Sequence, residues 1–172
     1  MDKTDIQFRP VTLADLPMLG TWMERPHWRE WWGNPIEELG YVREMVEGRD
    51  STRPFLILLN ERPTGYIQVW QMADAMVEPW LTEAPWLHLM PEGAVGVDIS
   101  LAEAESLNRG IGTVVLGSFV EMLRDEGIRE IWIDPDPENI RAVRAYEKAG
   151  FQRVPGITDV TGACLLMRHH KD

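Results

Sequence analysis

The segment LNRGIGT at 107–113 constrains this chain more than any other. It has glycines at positions 110 and 112 and precedes an amphipathic pattern. Glycine allows close approach to the backbone, and the unpaired amides of a helix's first turn attract phosphate. The segment matches neither a Rossmann fingerprint nor a P-loop, which disfavours nucleoside triphosphate chemistry. It predicts a cradle for a pyrophosphate; a simple turn is the alternative.

A second segment, NIRAVRAYEKAGF at 139–151, predicts a helix with Asn139 and Tyr146 on one face. The two residues are seven positions apart, which corresponds to two helical turns. Together, the two segments indicate a phosphate-bearing cofactor with a phenol held near its reactive end. Ordinary polarity at a helix start for Asn139 and core packing for Tyr146 are the alternatives.

The distribution of charge disfavours nucleic acid and favours a cationic partner. The chain has 172 residues and a net charge of −11, whereas nucleic-acid phosphates require a basic surface. No Lys or Arg lies between Arg62 and Arg109. The same stretch contains the acidic residues Asp74, Glu78, Glu83, Glu92, Asp98, Glu103 and Glu105. They could attract a polycation or form a solvated acidic face. Basic residues instead surround the two segments: Arg109, Arg141, Arg144 and Lys148.

Length and composition predict one domain spanning 1–172 in the cytoplasm. No run approaches the roughly 18–20 apolar residues that span a bilayer, and the first ten residues lack the apolar region of a secretory signal. Cys164 is the lone cysteine, which excludes an internal disulfide and fits a reducing compartment. The four histidines have no spacing suited to a metal, and His169 and His170 are expected in an exposed tail.

Hydrophobic periodicity and turn residues predict an α+β domain of three layers. A capping box at 12–15 should start a helix whose inner face is Leu16, Leu19 and Met23. Asp136 is expected to cap the helix over 139–149. The other predicted helices are 36–46 and 111–126, and 72–94 is expected to be irregular. The predicted strands are 6–8, 54–59, 65–71, 95–101, 130–134, 151–154 and 163–168.

Acidic and aromatic residues outside the two segments suggest an acceptor site. Asp98 lies in the middle of a strand, where an acid is disfavoured unless it faces solvent or a cleft. Asp134 ends the next strand on the same side, so the two carboxylates could grip a polyamine; capping a turn is the alternative for Asp134. Trp31 and Trp32, within HWREWWG at 27–33, belong either to a core or to an aromatic wall for a sugar or alkyl group.

The two segments described first, LNRGIGT and NIRAVRAYEKAGF, resemble motifs A and B of the GNAT superfamily of acetyl-CoA-dependent N-acetyltransferases in their order and spacing. Within this superfamily, the chain resembles the aminoglycoside 6′-N-acetyltransferases over nearly its whole length. Four blocks carry this resemblance: HxxEWWG (27–33), GYIQVW (65–70), GVDISLAEAESLNRGIGT (96–113) and DPDPENIRAVRAYEKAGF (134–151). The loop begins with Leu107 where GNAT proteins often have Gln or Arg, and 72–94 departs from the resistance enzymes.

The resemblance implies a GNAT fold, with a mixed, mostly antiparallel sheet flanked by helices, and a direct acetyl transfer without a metal. Acetyl-CoA would bind at Arg109, Gly110, Ile111, Gly112 and Thr113, and its pantetheine arm at Asn139. Tyr146 would protonate the departing thiolate, and Asp98 would be the base and an anchor for the substrate. Asp134, Trp31 and Trp32 would line the pocket for an aminoglycoside, whose 6′-amino group is the expected acceptor.

Three other functions stay open. One is acylation of a hydroxylysine side chain, which related GNAT enzymes perform in siderophore synthesis. A second is acetylation of another polyamine. A different class is an acyl-CoA sensor or an interaction module without turnover, but such a protein would need neither Asp98 nor Tyr146. The expected assembly is a monomer or a homodimer.

Overall fold

The computed structural model of this chain describes residues 5–107, 109–157 and 165–169. Cys164, His170 and the predicted strand positions 163 and 164 lie outside these ranges. The strands are β1 (Ile6–Pro10), β2 (Arg53–Leu59), β3 (Arg62–Gln71), β4 (Val95–Leu101), β5 (Ile131–Ile133), β6 (Phe151–Arg153) and β7 (Met167–His169). The helices are α1 (Leu16–Met23), α2 (Pro26–Trp32), α3 (Pro35–Val46), α4 (Trp80–Glu83), α5 (Ile111–Asp125) and α6 (Ile140–Lys148).

The strands form one sheet in the order β1-β2-β3-β4-β5-β7-β6. β1 is antiparallel to β2, and β7 is antiparallel to both β5 and β6. β4 and β5 are parallel, with Val95 beside Ile131 and Gly96 beside Trp132. A parallel pair needs a crossover connection, which α5 provides between these two strands. The expected α+β class with a mixed sheet and helices is confirmed.

The chain forms two compact units, the first comprising 1–68 and 99–109 and the second 69–98 and 110–172. In the first unit, the predicted face of α1 is buried. The capping box also forms, because the backbone N–H of Thr12 donates to Asp15 Oδ2 at 2.8 Å. The core of this unit includes Leu16, Leu19, Trp22, Met23, Trp28, Val42, Leu56 and Tyr66.

In the second unit, α5 buries one face against the sheet. Its buried residues are Val115, Leu116, Phe119, Val120 and Leu123. The 72–94 segment contributes to a separate cluster that contains Met72, Trp86, Leu87, Ala94, Trp132 and Leu166. Within the described ranges, no helix is long and apolar enough to cross a membrane.

One local expectation is wrong and one helix was not predicted, because short helical turns carry little periodic signal. The segment 72–94 is not irregular throughout, since it contains α4 and two 3₁₀ turns, Met72–Ala75 and Pro85–Leu89. The HWREWWG segment forms α2, which begins at Pro26 and ends before Gly33 at φ +101°. Proline at a helix's first position and glycine after its end were signals for this helix.

The expectations for Asp136 and His169 are also wrong. Asn139, rather than Asp136, caps α6, because its side chain accepts from the backbone N–H of Ala142. Asp136 instead accepts from the N–H of Glu138 in the preceding turn, at 2.8 Å. His169 does not belong to an exposed tail: it lies in β7 and its ring contacts Phe151 edge-on at 5.2 Å.

Candidate active site

Two carboxylates, Asp98 and Asp134, lie close together in the second unit. Asp98 is in β4, and Asp134 directly follows β5. Since these strands pair in parallel with Gly96 beside Trp132, the same register brings Asp98 beside Asp134. Both side chains are partly buried. The structure therefore joins two acids that are far apart in the sequence.

The environment of Asp134 favours its protonated form. Burial, together with the charge of Asp98, raises the pKa of Asp134 to about 8, while a backbone hydrogen bond has a smaller, opposite effect. Removing water from around a carboxylate disfavours its charged form, and a neighbouring negative charge adds to this effect. The carboxylate pair therefore holds a proton at neutral pH, which an entering cation would tend to release.

We expect Asp134 to make folding stability decrease as pH rises. Its pKa shifts from 3.8 to about 8 on folding, so between these values the folded protein binds the extra proton. The free energy of unfolding then falls with rising pH, by at most about 1.4 kcal/mol per pH unit. Denaturation of the wild type and Asp134→Asn across this range measures the effect. The free energy of unfolding of the wild type minus that of the variant should decline as pH rises. A difference that stays constant with pH would contradict the raised pKa of Asp134.

Tyr146 lies on α6 and is electrostatically coupled to the two acids. Burial, followed by the charges of Asp98 and Asp134, raises the pKa of its phenol. The ring packs against Phe151 with centroids 6.5 Å apart and planes at 58°. The phenol thus stays protonated at neutral pH, which is the state that can donate a proton.

The start of α5 has the backbone geometry expected of a phosphate cradle. Gly110 precedes the helix at φ +75°, a conformation that disfavours residues with a β-carbon. The N–H of Val114 donates to the Gly110 carbonyl at 3.2 Å. By helix geometry, the N–H groups of Ile111, Gly112 and Thr113 have no partner within the helix. A β-carbon at position 112 would meet nothing within 4 Å, so this face of the first turn is open.

A side chain of α5 connects the cradle with α6, the helix that carries Tyr146. Thr113 donates its hydroxyl to the carbonyl of Ala145 at 3.2 Å, which holds the first turn of α5 against α6. The side-chain oxygen of Asn139, Oδ1, accepts the capping hydrogen bond from the Ala142 N–H at 3.3 Å. The NH₂ group of the same side chain can therefore donate to a ligand. The basic residues predicted to surround these segments are all exposed: Arg109, which belongs to the first unit, and Arg141, Arg144 and Lys148.

The tryptophans of α2 have different environments within the first unit. Trp28 is fully buried and donates its Nε1–H to the Leu101 carbonyl at 2.9 Å. Trp32 packs on it at 5.2 Å and meets Tyr66 edge-on at 5.8 Å. Trp31 is partly exposed, but its Nε1 is buried and has no hydrogen-bond partner among the described residues. Trp28 is thus a core residue, while Trp31 and Trp32 keep partly exposed rings.

Trp70, which is not among the predicted site residues, covers the face of β4 that carries Asp98. A β-carbon at Gly96 would overlap the Trp70 indole, and Gly96 and Asp98 alternate onto the same face of the strand. Glycine inside a strand often marks such a close approach, so Gly96 was the available signal. Trp70 therefore adds an aromatic surface next to the acids.

A family model described as an acetyltransferase (GNAT) domain matches residues 12–158. The chain belongs to the GNAT acetyltransferase family. It is therefore an enzyme whose family uses acetyl-CoA as co-substrate, and the expected GNAT fold is confirmed.

Named relatives of this GNAT protein act on amines. Aminoglycoside N(6′)-acetyltransferase type 1 of Klebsiella pneumoniae is 36% identical over 169 residues, covering 94% of this chain and 81% of that protein. The structure of aminoglycoside acetyltransferase AAC(6′)-Ib with coenzyme A and kanamycin superimposes with a TM-score of 0.81 at 34% identity, over 97% of this chain and 95% of that one. Lysine N-acyltransferase MbtK of Mycobacterium sp. (strain MCS) is 28% identical over 142 residues, covering 80% of this chain and 55% of that protein.

Proposed function

We propose that this enzyme acetylates the 6′-amino group of an aminoglycoside. The observation that carries the proposal is the Asp98–Asp134 pair beside Tyr146. Two acids can bind a cationic amine and accept its proton, and the phenol can donate one. The AAC(6′)-Ib structure with kanamycin supports this acceptor, since that relative aligns over nearly the whole chain. A cytoplasmic location and a monomeric or homodimeric state remain predictions.

The residues at the start of α5 suit the anionic co-substrate. The amides of Ile111, Gly112 and Thr113 would bind its pyrophosphate, with Arg109 adding positive charge. The Asn139 NH₂ would donate to the pantetheine arm, because the carbonyl of that side chain is already used in capping. Bound acetyl-CoA supplies the activated acetyl thioester; every other group in the reaction belongs to the chain or the acceptor.

The acids and the phenol divide the proton transfers between them. Asp98 accepts a proton from the acceptor ammonium, directly or through water, so that a neutral amine can attack. Tyr146 donates its proton to the departing sulfur, and its raised pKa keeps that proton available. Asp134 releases its proton to solvent as the cation binds and then holds the acceptor electrostatically. The second proton lost by the acceptor nitrogen returns to the Tyr146 phenolate, and Asp98 releases its proton to solvent. No enzyme-bound acyl group is required.

The acceptor's chemistry agrees with the charge pattern of the chain. Aminoglycosides are polycations, and the stretch between Arg62 and Arg109 contains only acidic charged residues. Trp31 and Trp32 would supply an aromatic wall for a sugar ring. The Asp98–Asp134 pair would then select amines over hydroxyl groups at the reacting position.

Thiol release from acetyl-CoA tests this function directly. We expect saturable release with kanamycin and tobramycin, and none with a matched aminoglycoside that has a 6′-hydroxyl. Hydroxylysine, polyamines and lysine-bearing peptides complete the panel. Turnover on one of these and not on the drugs would move the function to that acceptor. Tight acetyl-CoA binding without turnover on any amine would instead favour a sensor.

A further inference from the structure

A pocket of about 590 Å³ lies in the second unit at the C-terminal end of α5. Charged residues dominate its described lining, which includes Arg124, Arg129, Glu130 and Arg168, and His169 also lines it. α5 has 15 residues, and at 1.5 Å per residue this end is roughly 20 Å from Gly110. β5 likewise starts beside the pocket and runs towards Asp134. The pocket is therefore separate from the groups assigned to acetyl-CoA and the acceptor amine.

The pocket has more positive than negative charge. The one acid among its described lining residues, Glu130, is paired with Arg168 through both oxygens, at 2.6 Å to Nη2 and 2.9 Å to Nε. Among the ion pairs of the described ranges, none includes Arg124 or Arg129. Two guanidinium groups thus line one pocket without a carboxylate partner, although the chain's net charge is −11.

Among the described residues, the acceptors that Arg124 contacts are uncharged. Its Nη1 donates to the Arg129 carbonyl at 2.6 Å, and its Nη2 to Nδ1 and the carbonyl of His169 at 3.0 and 3.2 Å. Since Nδ1 accepts, the ring proton lies on Nε2, which donates to the Ala149 carbonyl at 3.2 Å. A cation near a helix C-terminus commonly binds such carbonyls. These contacts hold Arg124 at the pocket and leave its positive charge without a carboxylate partner among the described residues.

We propose that this pocket binds a small organic oxyanion, a phosphate ester or a carboxylate, through Arg124 and Arg129. A guanidinium matches the planar geometry of such anions and forms charge-assisted hydrogen bonds with them. Arg129 is exposed and its guanidinium has no hydrogen-bond partner among the described residues, so an anion oxygen in the pocket would supply its acceptor. The volume is within the range of roughly 300–1,000 Å³ typical of small-molecule sites.

Titration calorimetry with inorganic phosphate and with citrate tests the proposal. The protein is first saturated with coenzyme A, so that the phosphate cradle of α5 is occupied, and chloride at equal ionic strength is the reference. Arg129→Gln removes an exposed side chain while its carbonyl still accepts from Arg124. Arg124→Lys keeps the charge but loses the planar fork. Arg62→Gln, an exposed change of equal charge in the first unit, is the control.

We expect saturable binding of one anion, weakened at least about tenfold in Arg129→Gln and Arg124→Lys and unchanged in Arg62→Gln. The His169 imidazole resonances should shift during the titration of the wild type, since Arg124 contacts this ring. Preference for phosphate assigns a phosphate ester, and preference for citrate a carboxylate. Binding no stronger than that of chloride, or equal binding by the wild type and both pocket variants, would overturn the proposal.

Discussion

Replacing Asp98 with asparagine is expected to lower kcat by at least about 10²-fold, the lower end of general acid–base effects. The amide has nearly the same shape but cannot take the ammonium proton. It also removes the charge that contributes to the raised pKa of Asp134, so that pKa should fall. Steady-state kinetics at saturating substrates measures the first effect, and carboxyl NMR titration the second.

Asp136→Asn is the matched control for this variant. Asp136 is exposed and uses its side chain to accept from the Glu138 N–H, which asparagine can also do. This variant loses one negative charge in the segment that follows Asp134, and its kcat should stay near that of the wild type. Wild-type kcat in Asp98→Asn would remove Asp98 from the mechanism. Equal losses in both variants would indicate a general effect of charge.

Replacing Tyr146 with phenylalanine should slow the chemical step by about 10²-fold while leaving acetyl-CoA affinity nearly unchanged. The ring keeps its packing against Phe151, so only the proton donor is lost. Single-turnover measurements follow the chemical step, and calorimetry gives the Kd for acetyl-CoA.

Tyr41→Phe serves as the control because Tyr41 is an exposed residue of α3. It should match the wild type in both measurements. If Tyr146→Phe left both the single-turnover rate and the Kd for acetyl-CoA unchanged, this tyrosine would be a packing residue. A higher Kd for acetyl-CoA with an unchanged single-turnover rate would instead assign Tyr146 to co-substrate binding.

Helices α5 and α6 could be predicted because their signals are local. Gly110 and the apolar face of α5 lie within a few residues of one another, as do Asn139 and Tyr146 on α6. Capping was less predictable, since Asp136 and Asn139 are both good caps and the tight turn between them decides which one is used.

Short elements and strand ends were harder to predict than the long helices. α2 spans only seven residues, and its tryptophans suit a core or a surface equally well. His169 is near the chain's end, where sequence alone suggests a tail. Its place in β7 depends on pairing with Phe151 and on contact with Arg124, which is 45 positions away.

By itself, the sequence indicated the family, the glycine-containing loop before α5 and two carboxylates on neighbouring strands, because each depends on residue type and local spacing. Only the tertiary structure decided the parallel β4–β5 register that sets Asp98 beside Asp134, since this pairing joins distant segments. The tertiary structure alone also decided that the Trp70 indole lies over Gly96 and that Arg124 and Arg129 line one pocket at the end of α5. Charge coupling and burial arise only when such segments meet, because they depend on distance in space and on the exclusion of water.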